Sequence, residues 1–131
     1  GGGVLERHPA LRAAFLEANC SWLPWLLWRL DEGYEREADA FSPELKMAPS
    51  EYFHRQVWVS VEPDELPALD AISRNGSDKL VFSTDYPHGD SKYPVAVASF
   101  LELPLADDDK RKILWDNCAE FYSLQTPVTT A

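Results

Sequence analysis

The run Leu80-Val81-Phe82-Ser83-Thr84-Asp85-Tyr86-Pro87-His88-Gly89-Asp90 constrains the fold more than any other part of this 131-residue chain: a short apolar stretch meets an acid and turns at once. Strand, carboxylate, loop is the order in which a parallel α/β protein delivers a reactive acid to the C-terminal edge of its sheet, where such proteins gather their chemistry. A comparable order, strand-like run, polar turn and helical stretch, occurs twice upstream. Asp85 is therefore the first residue to explain.

The first unit runs through residues 11–17, then Cys20-Ser21, then a predicted helix over 22–36 in which Leu23, Leu26, Leu27 and Leu30 recur at helical spacing as the inward stripe. Trp22, Trp25 and Trp28 fall on other faces, so one neighbour cannot cover this helix; the tryptophans fit either core packing or a subunit interface. The second unit is the β-branched and aromatic run 57–62, with Pro63-Asp64-Glu65 opening a helix to about residue 73 before Asn75-Gly76 ends it. The third is 80–83 with Asp85 beyond it, followed by helices over about 93–103 and 107–124. Asp107, Asp108 and Asp109 sit at the positive end of the last helix, and Ile113, Leu114, Cys118, Phe121 and Tyr122 form its apolar side. Residues 125–131 read as a loose tail.

Acids outnumber bases 22 to 12, for a net charge of −10, so a nucleic-acid backbone or an anionic membrane surface would be repelled. The two cysteines, Cys20 and Cys118, match no metal-binding spacing and read as core thiols of a reducing compartment. No signal peptide or membrane span is visible, and the expected location is the cytoplasm.

Three strand–helix units in series predict parallel strands with Glu17, Glu62 and Asp85 at one end. Three parallel strands make a poor free-standing domain, because both faces and both edges need cover. The chain also opens on Val4-Leu5-Glu6-Arg7-His8-Pro9, which reads as the end of a helix feeding the first strand. Part of a larger barrel is the expected architecture. Residues 37–56 form a long connection with a short helix begun at Pro49 or Ser50, placed either to shape a pocket or to pack the rim.

Six pieces carry a family resemblance: residues 3–12, Trp22-Leu23-Pro24, Arg29-Leu30-Asp31, Pro49-Ser50-Glu51-Tyr52-Phe53, Ser83-Thr84-Asp85-Tyr86-Pro87-His88 and Lys112-Ile113-Leu114-Trp115-Asp116-Asn117. In order and spacing the chain resembles the C-terminal part of the amidohydrolase-related metal-dependent proteins, the branch that includes aminocarboxymuconate-semialdehyde decarboxylase. The resemblance implies an α/β fold, with residues 1–131 supplying about three βα units of a (β/α)8 barrel. It also implies a divalent metal, zinc or manganese, in the complete enzyme. In that family a His-x-His pair, a further His and an Asp on the last strand hold the metal. Only the Asp is present here, as Asp85, and the chain's three histidines, His8, His54 and His88, form no such pair. Little or no metal is expected on this chain alone. Where many relatives carry His after the first of these strands, this sequence has Glu17, a carboxylate able to ligate, orient or accept a proton.

Asp85 would ligate the ion or shuttle a proton from metal-bound water; the competing structural role is to cap the turn 86–89. Glu17 is the expected second catalytic carboxylate. His88 and Tyr86, in the turn beyond Asp85, are the expected substrate contacts. His8 and His54 read as structural; Glu51 and Tyr52 are placed to touch substrate, with a solvated or packing role favoured; and Asn117, similar to an Asn of the family, reads as a brace of the barrel. Together these imply metal-assisted hydrolysis or non-oxidative decarboxylation of a small carboxylate-bearing or aromatic substrate by the complete enzyme. This chain itself would be inactive and would associate with its own kind or with the missing N-terminal half. A non-catalytic half-barrel that mediates oligomerisation is the alternative.

Overall fold

The computed structural model describes residues 2–41 and 44–124; the tail expected at 125–131 lies outside them. Three strands, β1 (Ala13–Phe15), β2 (Val57–Val61) and β3 (Leu80–Phe82), form one sheet in the order β1-β2-β3. Both pairings are parallel, Ala13 to Val57 at one end and Val61 to Phe82 at the other. The predicted strands are thus neighbours running the same way. The first is shorter than the run 11–17: after Phe15 the chain leaves the ladder, and Glu17 stands in a left-handed turn (φ 64°).

Seven α-helical segments accompany the sheet: α1 (Val4–Arg7), α2 (Leu23–Phe41), α3 (Pro49–Gln56), α4 (Ala68–Asn75), α5 (Ala96–Leu101), α6 (Asp107–Arg111) and α7 (Asn117–Tyr122). Val57, Val59, Val61 and Leu80 point to the helices and pack with Leu23, Leu27, Phe53, Ala71, Phe100 and Ile113 in the core. Full burial of each large side chain here contributes ~1.5–3 kcal/mol. Alternation along β2 sends Trp58 and Ser60 to the other face, and Glu62 follows in that series. There the indole of Trp58 lies edge-on to Phe121 and under the ammonium of Lys79, which pairs with Glu120 at 2.8 Å. Helix α7 therefore covers the N-terminal end of the sheet, and Arg12 joins it by donating to the Phe121 carbonyl at 2.9 Å.

Helix α2 extends past the predicted end, but Glu37 breaks its helical geometry one residue beyond Arg36. Of the expected leucine stripe, Leu23 and Leu27 are buried, Leu26 is half-buried and Leu30 is exposed. Leu26 and Leu30 face instead an apolar cleft of about 280 Å³ beside the open edge of β1, shared with Phe15, Trp22, Leu45 and Tyr52. Trp25 and Trp28 are exposed. Helix α4 starts at Ala68 rather than Pro63, because residues 62–67 are taken up by turns, and Pro67 becomes its N-cap. Gly76, at φ 76°, ends it as expected. Helix α5 starts at Ala96, after a loop in which Ser91 accepts from the Tyr93 amide.

The expected continuous helix over 107–124 is interrupted by a π-helical turn, Lys112–Asp116, and stops at Tyr122. The wider turn advances the helix face, so Asn117 and Ala119 are buried while Tyr122, assigned to the apolar side, is exposed. Asn117 donates its amide to the carbonyls of Ser77 at 2.7 Å and Leu80 at 2.6 Å, which is the bracing role anticipated for it. Both cysteines are free thiols, Cys20 buried and Cys118 half-buried. Burial pushes both up, in Cys20 strongly and with help from the Glu65 charge. Among the described residues no helix is long and apolar enough to cross a membrane.

Candidate functional site

Parallel strands put their C-terminal ends on one side of the sheet, and the turns leaving β1 and β3 meet there. Asp85 lies three residues past β3 in the left-handed region (φ 57°), and Glu17 two residues past β1 does the same. Such conformations are uncommon for side chains other than Gly, Asn and Asp, and at an active edge they aim a side chain where the regular strand would not. Glu17, Asp85 and His88 each bring a ligand-capable atom within 4.8 Å of the other two.

The turn after β3 closes through the backbone, the His88 amide donating to the Asp85 carbonyl at 2.9 Å. Ser83 and Thr84 hydroxyls accept from the amides of Asp85 and Tyr86, and Ser91 Oγ donates to the Thr84 carbonyl at 2.6 Å. The Asp85 carboxylate takes no backbone N–H of this turn among the described residues. Its Oδ1 accepts from the ring Nδ1–H of His88 at 2.8 Å. That arrangement argues against a capping role for the side chain and leaves its other oxygen available. The carboxylate raises the His88 pKa by its hydrogen bond and its charge, with smaller contributions from Glu17 and Asp90.

Glu62 directly follows β2, which ends at Val61, one residue short of the expected run 57–62. Burial, then the charge of Glu65, push its pKa up, with Asp85 and Asp64 adding to the rise against a hydrogen bond from Asn19. Tyr86 is exposed, its ring packed against that of Tyr93 with centroids 4.6 Å apart and planes tilted by 54°. His8, whose carbonyl accepts from buried Gln56, and His54, edge-on to Phe53, belong to other parts of the molecule. Tyr52 is buried, accepting from the Lys46 amide and donating to Glu6 at 2.7 Å, a packing role.

Glu65 was expected only to open a helix. Instead its buried side chain crosses to the turn after β1 and accepts from the Cys20 and Ser21 amides at 2.9 Å each and from the Ser21 hydroxyl. Its second oxygen accepts from the Glu62 amide at 3.3 Å. Hydrogen bonds to a charged acceptor are the strong ones, ~1.5–3 kcal/mol each. Only the position of an acid four residues past the end of β2 hinted at this.

Two carboxylates and an imidazole form a mixed oxygen–nitrogen donor set that suits zinc or manganese. Three groups are fewer than the four to six such ions take, so these residues fit as one side of a site. Without an ion, the Asp85–His88 pair has the form of a carboxylate-oriented imidazole able to hold or pass a proton.

The chain is similar over 128 residues to gamma-resorcylate decarboxylase of Polaromonas sp. (strain JS666), at 25% identity, covering 95% of this chain and 38% of that protein. It superposes on 5-carboxyvanillate decarboxylase from Sphingomonas paucimobilis with a TM-score of 0.76 at 27% identity, over 95% of this chain and 37% of the other. A dihydroxybenzoic acid decarboxylase from Polaromonas sp. JS666, solved with manganese and 2-nitroresorcinol, shares the fold at a TM-score of 0.73 and 22% identity, covering 99% and 39%. The chain thus spans well under half the length of these relatives, and its three βα units are a partial barrel. With the amidohydrolase family profile matching residues 1–124, this protein belongs to the amidohydrolase family.

Proposed function

We propose that this chain supplies the closing edge of the active site of a metal-dependent carboxy-lyase or hydrolase acting on a small carboxylate-bearing or aromatic substrate, with decarboxylation the favoured reaction. The observation that carries the reading is the convergence of Glu17, Asp85 and His88 at the C-terminal ends of β1 and β3. The relatives named above, decarboxylases of hydroxylated or methoxylated benzoates, support the substrate class.

In this reading Asp85 holds the cation through its free oxygen and Glu17 faces it as a second carboxylate. A divalent ion, zinc or manganese, when bound would supply positive charge to anchor an anionic substrate and acidify water. Asp85 fixes the His88 ring, and His88 in turn contacts substrate or passes a proton at Nε2. Tyr86, its ring tilted against that of Tyr93, offers an aromatic wall at the entrance. His-x-His ligands would come from barrel strands outside this chain, so residues 1–131 alone are inactive.

The test is turnover in a complete barrel carrying this chain, followed as CO2 release from hydroxybenzoates with manganese or zinc supplied. Asp85→Asn should keep the fold and lower kcat/KM by at least ~10²-fold, roughly 2.7 kcal/mol of transition-state stabilisation. Unchanged turnover would return Asp85 to a structural role. Exposed Trp25 and Trp28 favour a second reading, in which the half-barrel serves association alone; full activity loss in Asp85→Asn would exclude it.

A further inference from the structure

We propose that Glu65, which lies outside the Glu17, Asp85 and His88 cluster, is a positioning residue: it clamps the turn after β1 to the end of β2 and thereby holds Glu17 at the site. The inference rests on reading those three residues as one site, but its test needs neither metal nor turnover.

The turn over residues 16–21 is costly to hold. Glu17 and Asn19 both adopt left-handed backbone (φ 64° and 55°), which persists only where surrounding contacts over-determine it. One contact lies within the turn itself, where the Trp22 indole N–H donates to the Ala18 carbonyl at 2.7 Å. Another is the hydrogen bond from the Asn19 side chain to Glu62, and three more come from a single side chain 44 and 45 residues away. Three donors, Cys20 N–H, Ser21 N–H and Ser21 Oγ–H, converge on Glu65 Oε1, while Oε2 takes the Glu62 N–H. Glu65 is 7% exposed, and among the described residues no Lys, Arg or His forms an ion pair with it. The carboxylate is answered by the donors of this turn and of β2 rather than by a cation, so its strength is spent on fixing one turn against another.

Gln has the same shape but lacks the charge and one acceptor: with its oxygen on the Cys20 and Ser21 donors its NH2 group faces the Glu62 N–H, and turned the other way it faces those of Cys20 and Ser21, so in either orientation the link between the turn and β2 is broken. Glu65→Gln should therefore release the turn, let Glu17 relax toward right-handed or extended backbone, and carry its carboxylate away from His88. Glu65 makes no hydrogen bond to Asp85 or His88, and the charge it shares with Asp85 at Glu62 acts alike with either residue at position 17, so the turn is read from the difference that Glu17→Gln makes on the two backgrounds.

The experiment reads the His88 ring by 15N-edited NMR on the 131-residue chain at constant pH, its signals assigned by their loss in His88→Asn. Glu17→Gln should move the His88 ring signals in the otherwise unaltered chain, and the same substitution should move them at least threefold less on a Glu65→Gln background. Ser21→Ala, which removes one of the three donors to Oε1 and spares the charge, should give a smaller reduction in the same sense. Asn117→Ala, destabilising from the opposite end of the sheet, should leave the Glu17→Gln response intact, separating positioning from general loosening. A full response on the Glu65→Gln background would overturn the proposal. So would the absence of any response in the unaltered chain, since Glu17 would then not sit beside His88. Should Glu65→Gln fail to fold, an undiminished response in Ser21→Ala would overturn it equally. Absence of metal binding or turnover would count against the enzymatic reading and leave these results standing.

Discussion

The ring Nδ1–H of His88 donates to Oδ1 of Asp85 across 2.8 Å, three residues apart in a turn whose backbone is already closed by other bonds. The carboxylate is thereby directed at an imidazole instead of at the peptide chain. This pairing has a pH signature that does not depend on catalysis. The His88 pKa is raised in the folded chain, first by the Asp85 hydrogen bond and then by its charge. Its stabilising contribution is present below the unfolded imidazole value and is lost as pH rises through the folded one. An NMR titration should place the His88 midpoint above those of the same residue in urea, and Asp85→Asn should bring it down. A midpoint unmoved by Asp85→Asn would mean the two side chains do not meet in solution.

Metal binding by the 131-residue chain should be weak. Three groups, two of them exposed, should bind manganese or zinc with a Kd weaker than ~0.1 mM, the regime of sparse oxygen-rich sites. Titration calorimetry checks this. Tight one-to-one binding abolished by Asp85→Asn would show that the chain holds a more complete site than its ligand count allows.

Both thiols should resist modification while the chain is folded. Burial raises Cys118, and burial with the Glu65 charge raises Cys20 far more, so the reactive thiolate is scarce at pH 8. A disulfide exchange reagent should react with Cys20 at least ~100-fold more slowly in the native chain than in guanidinium, with Cys118 between. Two fast thiols without denaturant would contradict the packing around Cys20.

Asn117→Ala removes the donor to the carbonyls of Ser77 and Leu80 in a site 4% exposed. Leaving these acceptors unpaired should cost about 2–4 kcal/mol in urea unfolding, with little change at the His88 resonances. A loss below ~0.5 kcal/mol would show that water or another donor replaces it.

Self-association is expected at micromolar concentration. Trp25 and Trp28 are 63% and 59% exposed on α2, and β1 offers its outer edge to no other strand among the described residues. Light scattering should report a dimer or larger species that Trp25→Glu with Trp28→Glu converts to monomer. A monomeric starting chain whose tryptophans are open to a quencher would rule out this face as the contact.

What the amino-acid sequence determined by itself was local: three parallel strands and their order of helices, the Pro49 and Gly76 boundaries, the turn that carries Asp85, and the bracing Asn117. All but the last follow from alternation, helical spacing or turn chemistry within a dozen residues; the bracing role of Asn117 came from the family resemblance, and its partners Ser77 and Leu80 lie 40 and 37 residues away. Sequence reasoning also put acids at one sheet edge, because parallel direction alone brings strand ends together. Tertiary structure decided the rest. Glu17 meets Asp85 and His88 only because β1 and β3 flank β2 in a particular register, and its left-handed turn depends on contacts from 44 and 45 residues away. Glu65 left no helical or strand period to read, since a single buried carboxylate is recognised by the donors that surround it. The π-helical turn likewise carries no composition signal. It rotates Tyr122 outward and Asn117 inward through packing against β3, a balance of long-range contacts that no local pattern encodes.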